Sequence, residues 1–157
     1  MARLCGRCPR GQRCVASVPH GHWQSSTFIA ALRVEGLTAP FLIEGAVNAE
    51  VFTAYLQQVL CPELHEGDVV VLDNLSTHKI ASVATLITAQ GASVRYLPPY
   101  SPDLNPIEMA FAKLKAHLRQ AAARNLADLQ RPVANSLSTF SFTHCQGFFC
   151  HAPYAYL

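Results

Sequence analysis

Four apolar residues in a row, Val69-Val70-Val71-Leu72, run straight into Asp73. A strand with one wet face alternates apolar and polar side chains, because successive side chains point to opposite faces. This run does not alternate, so it predicts a central strand buried on both faces. Such a strand needs helices around it, and the flanking sequence supplies them. Upstream, Asn48 precedes a helix predicted over Ala49 to Leu60, with Val51, Phe52, Tyr55, Leu56 and Val59 at helical spacing. Downstream, Lys79 to Gln90 reads as a helix stopped by Gly91, and Ala92 to Leu97 as another strand.

The remaining elements extend this layout. Gln12 to Ser17 and Thr27 to Val34 read as strands, Glu35-Gly36 as a turn, and Ala39 to Ile43 as extended. Pro98-Pro99-Tyr100-Ser101-Pro102-Asp103 is a stiff loop that neither a helix nor an inner strand accommodates. Asn105-Pro106-Ile107-Glu108 then opens a strong helix, with Asn105 at N-cap, Pro106 at N1 and Glu108 at N3. Ile107, Phe111, Leu114 and Leu118 form its apolar stripe, and Glu108, Lys115 and Arg119 lie together beside it. Another helix is predicted over Leu126 to Leu137, while the aromatic tail from Phe140 to Leu157 carries no assignment. The order predicts an α/β fold, a mixed sheet flanked by helices, in a domain covering 1–137 with a tail over 138–157.

A length of 157 residues suits one domain with a real core. The formal net charge is +2, too small to announce a nucleic-acid partner by itself. Its distribution says more. Arg3, Arg7, Arg10 and Arg13 crowd the N-terminus, with no acidic residue before Glu35, and Lys113, Lys115, Arg119 and Arg124 form a second basic group. Either patch can meet a phosphate backbone or simply be a solvated surface. No apolar run approaches the roughly 20 residues of a membrane span, and MARLCGRCPRGQR lacks the apolar core of a signal peptide. A cytoplasmic chain is expected, with its six cysteines as free thiols.

Two carboxylates carry the candidate chemistry. Asp73 ends a strand, where ligands of α/β sheets gather. Glu108 sits in the first turn of a helix, with 34 residues between the two. Phosphodiester cleavage needs hard cations held by carboxylates from separate elements. Each acid also has a plainer reading: Asp73-Asn74 as a turn, Glu108 as the reciprocal half of a capping box with Asn105. His78 read alone is an ordinary residue at a helix start. A different class of function is a zinc-binding interaction protein, using Cys5-x-x-Cys8, His144-Cys145 and Cys150-His151, although the spacing fits no standard finger.

Taken together, VVLDNLSTHKI and VRYLPPYSPDLNPIEMAFAKLK resemble the catalytic core of mariner-superfamily DDE transposases, closest to the bacterial insertion-sequence branch of the IS-six-thirty type. GRCPRGQR and HGHWQSSTFIAALR resemble it too, and the likeness weakens after about Leu137. The resemblance implies an RNase H-like fold, and three acids with Mg²⁺ or Mn²⁺ that cut DNA at element ends and join them to target DNA. Asp73 would be the second acid, Glu108 the third, and His78 the histidine of the Asp-Asn…His element. Arg7, Arg10, Arg13, Lys113, Lys115 and Arg119 would face DNA, in a homo-oligomer on paired ends. In that family the first acid and first strand lie ahead of the segment matching MARLCGRCPRGQR, with a helix-turn-helix further upstream. The expectation is therefore a domain truncated at its N-terminus, missing its first strand. An inactive DNA-binding remnant is the alternative within the same family.

Overall fold

A β-hairpin, β1 (Ser26–Arg33) and β2 (Gly36–Glu44), forms the middle layer of the fold. This is seen in a computed structural model that describes residues 6–15, 25–121 and 126–152. The strands pair antiparallel, from Ser26 opposite Glu44 to Arg33 opposite Gly36. Their side chains alternate between two cores, as strand geometry requires. Ile29, Ala31 and Phe41 pack with Phe52, Tyr55, Leu56, Val83 and Ile87. Phe28, Leu32, Leu37 and Leu42 pack on the opposite side with Ala110, Leu114, Leu118, Val133, Phe140 and Cys145. The register slips between Ile29 and Ala31, where Ala39 takes a positive φ of 50° in a bulge.

The first core is roofed by α1 (Ala49–Tyr55), which continues through a π turn (Leu56–Leu60) and a short 3-10 turn (Cys61–Glu63). Asn48 caps α1 by accepting from the Val51 amide at 2.9 Å. Next come β3 (Val69–Leu72), α2 (Ala81–Thr88) and β4 (Ser93–Tyr96), and β4 runs parallel to β3. The second core is built by α3 (Ile107–Ala121), α4 (Leu126–Leu137) and α5 (Phe142–His151). No helix among the described residues is long and apolar enough to cross a membrane.

Several expectations are corrected. β3 is not buried on both faces: Val69 and Val71 are 57% and 38% exposed. Val70 and Leu72 pack onto the first core, but among the described residues β3 bonds to β4 alone and its other face stays partly in solvent. Among the described residues the strands accordingly form two separate pairs. Gln12–Val15 is not a strand, because Pro9 accepts from the Gln12 amide in a turn through Gly11 at φ 86°, and the exposed chain finds no ladder partner. Ala16 and Ser17 lie outside the described residues. The helix read from Lys79 starts later: Ser76–Lys79 is a 3-10 turn and Ile80 is extended before α2. The unassigned tail holds α5, where Cys145 and Phe148 pack into the second core at helical spacing.

Candidate active site

The parallel ladder of β3 and β4 delivers one acid, and the start of α3 delivers the other. Leu72 accepts from the Leu97 amide at 2.8 Å, so the proline loop after β4 leaves the sheet beside Asp73. Pro98, Pro99 and Pro102 hold that loop stiff until Asn105, whose side chain accepts from the Ile107 amide at 3.4 Å and starts α3. Pro106 is buried and anchors the helix start. Asp73, Asn74, Asn105 and Glu108 thereby line one open cavity of about 410 Å³. The structure brings the two sequence-predicted acids together although 34 residues separate them.

The surroundings of each acid decide what it can do. Asp73 Oδ1 accepts from the Leu75 amide at 3.1 Å, so the turn read as its plainer role does form. His78 Nδ1 lies 2.6 Å from the same oxygen without forming a hydrogen bond. Among the described residues nothing bonds Asp73 Oδ2. Glu108 is exposed, and its carboxylate does not close a capping box: the Asn105 amide is taken by Pro102 O at 2.9 Å. Two carboxylates with unused oxygens, and two amide side chains, suit a hard cation that keeps several waters. Among the described residues no group of three or more His, Cys, Asp or Glu side chains is placed to hold a metal, and Asp73 and Glu108 are the carboxylates that line this cavity.

His78 is itself held. Its ring packs on Phe52 with centroids 4.4 Å apart, and its carbonyl accepts from the Tyr96 hydroxyl at 3.0 Å. Phe52 stacks in turn on Tyr55, whose hydroxyl donates to Ala39 O at 3.0 Å and whose phenol burial pushes well above its usual range. Phe52 precedes His78 by a whole helix and strand, so no local pattern announces this contact. Tyr100 was hidden for another reason: it sits inside the proline block, which reads simply as stiff loop. It lines the same cavity, at φ 56°, with its ring fully in solvent.

The basic residues divide. Arg7, Arg10 and Arg13 are exposed on irregular chain, and Lys115 and Arg119 are exposed on α3. Lys113 is engaged elsewhere: its ammonium donates to Thr139 O at 2.7 Å, lies 3.1 Å from His144 Nδ1, and sits 4.7 Å from the centre of the Phe140 ring. Arg3 and Arg124 lie outside the described residues, as does Cys5. Cys8, Cys14, Cys61, Cys145 and Cys150 are free thiols, and burial pushes the Cys61 and Cys145 thiols up, away from the reactive thiolate.

A family model for the DDE superfamily endonucleases matches residues 2–130. Comparison with curated proteins gives no match. Among solved structures, the chain is similar to the Mos1 strand transfer complex, with a TM-score of 0.75 and 15% identity over 98% of this chain and 47% of that one. It is similar to the Mos1 transposase paired-end complex with the left transposon end, at TM-score 0.73 and 15% identity, over 98% of this chain and 48% of that one. For the catalytic domain of the Mos1 mariner transposase the TM-score is 0.66 at 15% identity, over 83% of this chain and 75% of that one. The chain spans about half the length of the first two. The shared architecture is mixed α/β, short sheets flanked by helices, like that RNase H-like catalytic domain.

Proposed function

This chain belongs to the DDE superfamily of endonucleases, and from that premise we propose that it is catalytic-domain sequence of a transposase of the bacterial insertion-sequence branch. The observation that carries the reading is the convergence of Asp73 and Glu108 on one open cavity, each with carboxylate oxygen left free. Their chemistry fits Mg²⁺ or Mn²⁺. Bound there, a divalent cation would supply the charge that activates the attacking oxygen and stabilises the departing one. Asp73 and Glu108 would hold the metal, and His78, whose Nδ1 lies 2.6 Å from Asp73 Oδ1, would be a positioning residue beside it. In strand cleavage, water adds to phosphorus, the bond to the leaving sugar oxygen breaks, and that oxygen takes a proton. In joining, a terminal hydroxyl replaces the water.

The substrate is DNA, both element ends and target. The names of the similar Mos1 structures, a strand transfer complex and a paired-end complex with a transposon end, support that reading. The exposed Arg7, Arg10, Arg13, Lys115 and Arg119 offer phosphate contacts. A homo-oligomer on paired ends, acting at the cytoplasmic nucleoid, completes the proposal.

Titration with Mn²⁺, followed by its paramagnetic resonance signal, tests the site directly. Asp73→Asn and Glu108→Gln are each expected to weaken binding at least tenfold, about 1.4 kcal/mol, without lowering the melting temperature. Affinities equal to that of the wild-type chain in both variants would sink the metal assignment.

A further inference from the structure

Tyr100 is difficult to explain as a folding residue. The residue is 102% exposed, so it contributes no burial. Its φ of 56° lies in the left-handed region, where an aromatic residue is an outlier. It follows Pro99 in a turn, the arrangement in which glycine or asparagine ordinarily takes the positive φ. Prolines at 98, 99 and 102 hold the strained conformation in place, and the Ser101 hydroxyl donates to Pro99 O at 3.3 Å across the bend. Strain kept without packing in return points to a function of the side chain.

The place of the residue says what that function is. Tyr100 stands on the wall of the cavity that Asp73 and Glu108 share. Resting on the proposed DNA-cleaving role of that cavity, we infer that Tyr100 is a stacking platform for an unpaired nucleobase beside the scissile phosphate. A phosphodiester held at the two acids carries bases on either side. The flat face of an exposed phenol accepts any of them by stacking, without reading sequence. The rigid loop holds the ring ready beforehand, so little order is lost when a base arrives. A base in an intact duplex is already stacked on its neighbours, so the platform selects frayed or single-stranded DNA at the cut.

The test uses a duplex ending in a short single-stranded overhang with 2-aminopurine as its first unpaired base, and the matching blunt duplex. Wild type and Tyr100→Phe are expected to quench the 2-aminopurine and to prefer the overhang. Tyr100→Gly removes the ring and relieves the positive φ. It is expected to melt no lower than wild type, to lose the quenching, and to bind the overhang about ten- to a hundredfold more weakly, with blunt-duplex affinity unchanged. Equal overhang affinity for wild type and Tyr100→Gly, equal loss for blunt and overhang DNA, or no overhang binding by any variant overturns the inference. The Mn²⁺ titration of Asp73→Asn, run alongside, reads the metal assignment separately, so either idea can fail without the other.

Discussion

The Arg33–Asp68 pair is where a single residue most affects how the molecule holds together. Arg33 ends β1 and Asp68 leads into β3, so the pair bridges two sheets that share no strand ladder. The guanidinium engages both carboxylate oxygens, with Nη1 donating to Oδ1 at 3.2 Å, and Nη2 also donates to Glu63 O at 3.1 Å. The Arg33 hydrogen bonds, then the His65 amide, hold the Asp68 carboxyl down at about 2. Because the folded value lies below the unfolded one, the pair stabilises the fold fully above about pH 4. That contribution is lost as pH falls from there toward 2. Both side chains are partly solvated, so screening leaves on the order of 1 kcal/mol. Asp68→Asn is expected to lose about that much at pH 7 and to lie much closer to wild type at pH 2, where the carboxyl is about half protonated. Denaturant unfolding at the two pH values checks it.

Among the elements, α5 shows how a surface cation that sequence assigns to a basic patch can be structural. Lys113 reaches from α3 to the carbonyl of Thr139, just ahead of α5, and lies over Phe140. Ser141 caps α5 by accepting from the His144 amide at 3.4 Å. The cap and the lysine together seat Cys145 in the second core. Lys113→Met keeps the aliphatic stem and removes the donor. It should cost about 1–2 kcal/mol, read as a melting temperature lower by a few degrees. Lys115→Met and Arg119→Met, whose side chains are exposed on the same helix, should leave the melt unchanged and reduce DNA affinity instead.

At the scale of the whole molecule, two cores on opposite sides of one hairpin carry the stability, and the β3–β4 pair is attached to the edge of the first. A two-stranded sheet is marginal by itself, and a free strand edge is a template for another chain. β3 has that free edge among the described residues, beside the exposed Val69 and Val71. The chain is expected to self-associate as its concentration rises, with Val69→Lys and Val71→Glu each shifting it toward monomer. Light scattering across a dilution series measures this. A monomer at every concentration would show that the edge is not available for pairing.

Local rules made much of this legible from sequence. Asn48 and Asn105 cap the helices they were expected to cap, because capping depends on a few neighbouring residues. Of the predicted stripe, Phe111, Leu114 and Leu118 join the second core and Ile107 does not, because helical spacing puts the first three on one side. The candidate acids were legible through strand-end and helix-start positions and the motifs around them. Whether β3 is covered on both faces was not, because burial depends on which elements pack there. Nor could spacing show that Lys113 serves α5, that Phe52 holds His78, or that Glu108 leaves its capping box open. Each depends on contacts between residues distant in the chain, and those exist only once the hairpin has drawn its two helical layers together.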